Sequence, residues 1–282
     1  MQTITQPRPS PIAGLWYSDQ PKHLSRQIDA FLADAVLPAL QGEVVAIIAP
    51  HAGYRYSGRT AGHAFRAAQG LQRDLVVVVS PFHNFHSSSL LTTAHSAYQT
   101  PLGEIPVDAE ALAELDENLQ RHLGSGLTAL PHDPEHALEI ELPFLQRALN
   151  GPFQLLPLML RSQSPRTAQA IGAALAETAA HRSVLLVAST DLSHFYPEEV
   201  ANQLDAEMLR QMEAFSPEGM LKAEQNGTGF ACGVAAAAAV LWAARELGAS
   251  RVQILHHSTS GDETGDHSSV VGYGAAVALK NT

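Results

Sequence analysis

Short apolar runs, each bounded by turn residues, set the organisation of this chain. Three of them are rich in valine, isoleucine and leucine and lie at residues 44–49, 75–79 and 184–189. Runs of this length and composition predict strands that are buried on both faces of a sheet. Between the strands, apolar positions recur at the spacing of an amphipathic helix, as at Leu24 and Ile28.

The same patterns divide the rest of the chain into further elements. Helices are predicted over residues 19–40, 59–69, 108–123, 134–149, 164–181, 198–214, 217–225 and from just after 232 to 247. Further strands are predicted over residues 153–160, 252–256 and 270–279. This alternation predicts an α/β fold, in which helices cover both faces of a mostly parallel or mixed central sheet. A chain of 282 residues can form one such domain or two closely fused halves.

Composition narrows the class of protein. The net charge of -11 provides no basic stripe, which argues against nucleic-acid binding. No run of about 18 apolar residues is present, so we expect no membrane span. The first ten residues lack the apolar core of a signal peptide. A lone cysteine, Cys232, excludes an internal disulfide and fits a reducing compartment, so a cytoplasmic location is expected.

Metal-capable side chains follow the predicted strands. His51 comes just after the first strand and His83 just after the second, and the carboxyl ends of parallel strands are where ligands bind. Cys232 precedes an alanine-rich helix whose N-terminus would favour a thiolate. Imidazole and thiolate ligands suit Zn, Cu or Fe. Each residue also has an ordinary alternative role, as a histidine bonded to loop backbone or as a small core residue.

Two further groups could carry acid and base chemistry. Asp191 and His194 follow the third strand, and they would share one face if a helix begins there. Asp191 could equally be a helix cap. His136, between Glu135 and Glu139 on the predicted helix 134–149, could orient a ligand or transfer protons, or belong to a solvated acidic turn. A nucleophile elbow, a P-loop and a dinucleotide fingerprint are all absent from the sequence.

Several segments, taken together, resemble the Memo family. They are IIAPHAGYRYSG (47–58), SPFH (80–83), TPLG (100–103), EHALEIELPFLQ (135–146), STDLSHF (189–195), ACG (231–233) and SGDETGD (260–266). They occur in the family's order over nearly the whole chain. The resemblance implies a single αβα domain over residues 1–282, with the fold of the class III extradiol dioxygenases. One difference is Asn84, where many relatives have a second histidine after the second strand.

The resemblance also implies a site. The family's metal ligands, two histidines and a cysteine, correspond to His51, His83 and Cys232, whereas dioxygenases of this fold use two histidines and a glutamate. Asp191 and His194 correspond to other pocket positions of the family, and His136 to a nearby one. We therefore assign His194, Asp191 and His136 as candidate catalytic residues.

Two functions follow from these assignments. The first is a metal-dependent redox or oxygen-linked enzyme of unknown substrate. Fe(II) is the foremost candidate for its metal, with Cu or Zn as alternatives. The second is a non-catalytic module that uses the same pocket to bind a peptide or partner. A hydrolase with Cys232 as nucleophile is a minor third option. The expected ligand is a small molecule or a peptide, and the resemblance adds a radical-SAM enzyme as a partner.

Overall fold

The fold is built on a mixed sheet with helices on both faces. In this computed structural model, residues 4–281 are described. The strands are β1 Glu43–Ala49, β2 Leu75–Pro81, β3 Leu90–Thr93, β4 Ala97–Thr100, β5 Gly103–Pro106, β6 Thr128–Leu130, β7 Gln154–Leu160, β8 Val184–Ser189, β9 His194–Tyr196, β10 Arg251–Thr259 and β11 Val270–Lys280. The main sheet has the order β10-β11-β1-β8-β2-β7-β3-β6, while β9 pairs with β11 and β4 with β5.

Helices connect the strands on both sides of the sheet. They are α1 Pro21–Asp34, α2 Tyr54–Ala67, α3 Ala109–Leu123, α4 Leu142–Ala148, α5 Pro165–Ala179, α6 Glu198–Glu213, α7 Pro217–Gln225, α8 Val234–Glu246 and α9 Gly261–Thr264, with a 3₁₀ turn at Glu139–Glu141. Within residues 4–281, none of these helices has the combination of length and apolar character that crossing a bilayer requires.

The four central strands β1, β8, β2 and β7 run parallel and are buried on both faces. Successive side chains of a strand point to opposite faces, so each strand contributes to two cores. Val77 and Val79 of β2 pack beneath α5 and α8, whereas Val76 and Val78 pack on the side of α1 and α2. This two-sided burial explains why the strands are continuous apolar runs with no polar alternation.

Most predicted elements are present, but the prediction of one helix was wrong. The prediction of a helix over 134–149 fails because residues 134–138 are irregular, and α4 begins only at Leu142. Pro143 lies at the start of α4, the position where a missing backbone N–H costs nothing. His136 and Glu139 are therefore not on one helical face, and the segment that carries them follows an irregular path.

The alanine-rich helix α8 lies in the middle of one core and approaches β8 closely. The backbone N–H of Gly233, the residue before α8, donates to the hydroxyl of Thr190 over 2.9 Å. A Cβ atom at Gly233 would lie only 2.5 Å from the carbonyl oxygen of Ser189. This close contact fixes the start of α8, and with it Cys232, against the end of β8.

We expect Gly233→Ala to destabilise the protein by about 1 to 3 kcal/mol, because the added methyl group overpacks a backbone contact. Urea unfolding at equilibrium measures the loss. Gly229→Ala is the matched control, since its Cβ would meet nothing nearer than a side-chain methyl at 3.3 Å. Equal stability of the two variants would contradict the proposed close contact.

Candidate metal site

The candidate site lies at one rim of the sheet, where three neighbouring parallel strands end. β1, β8 and β2 are adjacent, and their carboxyl ends are followed by His51, Asp191 and His83 respectively. The rings of His51 and His83 are 5.3 Å apart between centroids. The topology thus brings together residues that are far apart in sequence, as the strand pattern predicted.

His51 is buried, and its hydrogen bonds define its tautomer. Its Nδ1 lies 2.9 Å from the hydroxyl of Ser189, and that hydroxyl donates its own proton to the carbonyl oxygen of Ala137 over 2.6 Å. Nδ1 must therefore carry the ring proton, which leaves the lone pair on Nε2. Burial, together with the neighbouring His83, lowers the pKa of His51 to about 3, so the ring is neutral at pH 7.

His83 is oriented by a buried carboxylate. Its Nδ1 donates to Oε1 of Glu135 over 2.9 Å, and its backbone N–H donates to Oε2 over 2.6 Å. Burial alone would lower the pKa of His83, but the hydrogen bond and the charge of Glu135 outweigh it and raise the pKa above 6.5. A carboxylate behind an imidazole is the usual arrangement that fixes a metal-binding histidine, with Nε2 free.

His136 completes a group of three imidazoles. Its ring stacks on that of His83 at 4.7 Å and is tilted by 35° against that of Trp16 at 4.2 Å. Its Nδ1 is 3.2 Å from Oε1 of Glu135. Burial and the neighbouring His51 lower its pKa to about 4. One nitrogen of each of His51, His83 and His136 lies within 4.8 Å of the others, which is compact enough for all three to hold one ion.

Cys232 lies beside this group. Its Sγ is 3.2 Å from Nε2 of His51 and 3.7 Å from the carbonyl oxygen of Asp191. Burial, and then the charge of Asp191, raise the pKa of the thiol, so a thiolate there would need a cation nearby. The structure thus brings the lone thiol next to one predicted ligand, while His136 joins the two predicted histidines in the compact group.

The candidate acid and base lie on the same rim, but not on a helix. Asp191 accepts the backbone N–H of His51 over 2.7 Å, and burial raises its pKa to about 6. The conditional prediction of a helix start is wrong, since His194 begins the short strand β9. Burial lowers the pKa of His194, and Asp191 partly offsets this effect. Phe195, the next residue, has a φ of 62°, an uncommon conformation for a bulky residue.

A cavity of about 630 Å³ opens above the histidines. His51, His83, His136, Asp191 and His194 form part of its surface. Apolar side chains of Leu15, Trp16 and Phe195 and hydroxyl groups of Ser260, Thr264 and Ser269 also line it. No lysine or arginine is found among the residues of the described chain that line it. A ligand here would meet imidazoles at the base, with apolar and hydroxyl surfaces around it.

Arg8 binds the segment that carries the site residues Glu135 and His136. No sequence pattern indicated this role of Arg8. Its guanidinium donates to the carbonyl oxygen of Glu135 over 2.6 Å and pairs with the carboxylates of Asp133, at 2.7 Å, and Glu139. The side chain is 1% exposed. The N-terminal arm is thereby fastened to the irregular segment that carries Glu135 and His136.

Comparisons with known proteins agree with this architecture. Residues 8–277 match the profile of the Memo-like protein family. The chain belongs to the Memo family. A MEMO1 family protein of Methanothermobacter thermautotrophicus is 35% identical over 275 residues, covering 93% of this chain and 96% of the relative. One of Nitrosopumilus maritimus is 32% identical over 268 residues, covering 94% and 96%.

A solved structure supports the fold of this Memo family chain independently. The uncharacterized protein JW3007 of Escherichia coli superposes with a TM-score of 0.50 and 15% identity, covering 83% of this chain and all of the other. At such low identity the likeness concerns the fold alone. The predicted single α/β domain with a mixed sheet and helices on both faces is confirmed.

We expect Arg8→Met to destabilise the protein by about 3 to 5 kcal/mol, because it leaves buried carboxylates without their cation. Guanidinium chloride unfolding measures the loss. The control is Arg147→Met, which breaks a two-bond pair with Asp29 on the exposed surface. That change should cost less than about 1 kcal/mol. If Arg8→Met loses no more stability than Arg147→Met, the buried network around Arg8 contributes little to stability.

Proposed function

We propose that this Memo family protein is a metal-dependent redox or oxygen-linked enzyme whose metal is held by the histidine group. The observation that carries the proposal is the compact group of His51, His83 and His136, whose ligand nitrogens converge beneath a cavity. Fe(II) is the foremost candidate, followed by Cu and Zn. Nitrogen donors with a neighbouring sulfur favour these metals over Mg²⁺ and Ca²⁺, which prefer oxygen.

The third protein ligand has two candidates. The family resemblance assigns it to Cys232, whose sulfur lies 3.2 Å from Nε2 of His51. The geometry favours His136, which belongs to the same compact group as His51 and His83. Both sets leave the outer partners unchanged, because Ser189 and Glu135 take the Nδ1 protons of His51 and His83.

The chemistry proposed for the site divides between the metal and the protein. A bound metal supplies Lewis acidity and, if it is iron or copper, a route for electrons. His194, neutral at pH 7 because burial lowers its pKa, accepts a proton from a ligand in the cavity. The charge of Asp191 favours the imidazolium that forms. If Cys232 is the third metal ligand, His136 is available as a second general base.

A binding module is the second candidate function. Leu15 and Phe195, which line the cavity, are 80% and 76% exposed. Exposed apolar side chains at a cavity mouth are typical of peptide and protein binding sites. This feature supports a peptide or partner ligand, of which the radical-SAM enzyme suggested by the family resemblance is one candidate.

We expect His51→Ala to abolish the metal content of protein purified without chelators under anaerobic conditions, because it removes the most buried ligand. Elemental analysis of the purified protein measures this. His63→Ala is the control, since His63 also belongs to a histidine pair, with His256 at 4.1 Å, but lies outside the group. Unchanged metal in the His51 variant would overturn the proposal. The metal content of Cys232→Ser and His136→Ala then identifies the third ligand, because the variant that lacks this ligand loses metal.

We expect no ring-opened product when the protein is incubated with Fe(II) and catechols in air, because neither candidate for the third ligand is a carboxylate. The absorbance of ring-opened products measures turnover. A ring-opened product that disappears in the His51→Ala variant would make the protein a dioxygenase. Absence of turnover combined with tight peptide binding at the cavity would support the binding module instead.

A further inference from the structure

Phe195 is held in a backbone conformation that costs stability. It lies in the short strand β9, and its φ of 62° falls in the left-handed region, where residues with a Cβ atom are strained. The residue pairs between β9 and β11 are His194 with Val271 and Tyr196 with Val270. Phe195 is therefore the extra residue of a β-bulge, with no partner on β11. In bulges whose extra residue is left-handed, that residue is usually glycine.

Burial of the Phe195 ring does not offset this strain. The residue is 76% exposed. A useful comparison is Phe215, which has a φ of 52° and follows the end of α6. Phe215 packs against the apolar core, so burial there compensates for its backbone strain. Phe195 has no comparable burial. An exposed and strained residue in a functional region is evidence of a role in function and not in folding.

The bulge places Phe195 on the surface of the cavity. Successive side chains of a regular strand point to opposite faces. His194 and Phe195 are consecutive, yet both line the cavity above the histidine group. Bulges next to active sites commonly redirect a side chain in this way. The strained backbone therefore holds an aromatic ring beside His194, on a surface that a ligand in the cavity would meet.

The rest of the cavity surface indicates what this ring would contact. A volume of about 630 Å³ suits a small molecule. Aromatic side chains of Trp16, Tyr56 and Tyr273 also line the cavity, and within the described chain no lysine or arginine does. A phosphate or carboxylate group at a distance from the histidines would find no cationic partner there. A ligand with an apolar body would instead bury that body against the aromatic rings.

We infer that Phe195 is a specificity-determining residue, which packs on the apolar body of a small-molecule substrate while the polar end of the substrate reaches the histidine group. This inference rests on the proposed metal-dependent function. The substrate class is an uncharged small molecule with a metal-binding group at one end and a carbon ring or chain at the other. Glycine fits the backbone of this position better than phenylalanine, but it has no side chain with which to contact a substrate.

The first test compares stability by urea unfolding. Phe195→Gly removes the backbone strain and little buried surface, so we expect its unfolding midpoint to equal or exceed that of the wild type. Phe215→Gly is the matched control, and its midpoint should fall because this variant also loses contacts with the core. A fall in Phe195→Gly as large as that in Phe215→Gly would overturn the inference, since the ring of Phe195 would then serve the fold.

The second test is calorimetric titration of zinc-loaded protein with two hydroxamates. Both bind metals through the same group, but acetohydroxamate carries a methyl group where benzohydroxamate carries a ring. We expect Phe195→Gly to bind benzohydroxamate about fivefold more weakly than the wild type, because the apolar contact is lost. Its affinity for acetohydroxamate should be unchanged, and Phe195→Leu should retain most of the affinity for benzohydroxamate. Equal losses for both compounds, or no loss for benzohydroxamate, would overturn the inference.

These tests separate the role of Phe195 from the proposed metal function. If the zinc-loaded wild type binds neither hydroxamate, the inference is overturned while metal binding stands. If the wild type takes up no zinc, the proposed function fails, and the stability comparison then decides the role of Phe195. A higher midpoint in Phe195→Gly would support a ligand contact that is kept at the expense of stability, and a lower one would exclude it.

Discussion

The candidate site depends on one buried carboxylate, that of Glu135. It accepts Nδ1–H of His83 and the backbone N–H groups of His83, His136 and Ala137, all within 3.0 Å. Burial alone would raise its pKa, but these bonds and the neighbouring imidazoles lower the pKa to about 2. The group therefore stays charged inside the protein, and it sets the orientation of the histidines around it.

One carboxylate beside three imidazoles explains the opposite pKa shifts within the group. Glu135 bonds to the ring of His83 and favours its protonation, whereas burial and mutual repulsion hold His51 and His136 neutral. The three rings cannot all be positively charged imidazolium groups at such distances. A single divalent cation could satisfy all three lone pairs at once, with Glu135 and Asp191 balancing its charge.

The sequence was informative where the chain is periodic. Parallel neighbours in a sheet end at one edge, so the apolar runs alone predicted that His51, His83 and Asp191 share a rim, and the structure agrees. The prediction failed in the segment 134–149, where a helix was expected and Pro143 confines α4 to its second half. Arg8 carried no signal, because a single polar residue in an N-terminal arm has no period to reveal its partners.

The outer partners of the histidines come from distant parts of the chain. Ser189 ends a central strand, Glu135 lies in an irregular segment, and Arg8 belongs to the N-terminal arm. Such a site cannot assemble around an ion in an unfolded chain, as the closely spaced ligands of a zinc finger do. The sheet and its two cores must form first, and they then present the imidazoles already oriented. Binding of a metal at the proposed site would accordingly require the finished fold, with the energy for orientation supplied by packing far from the rim.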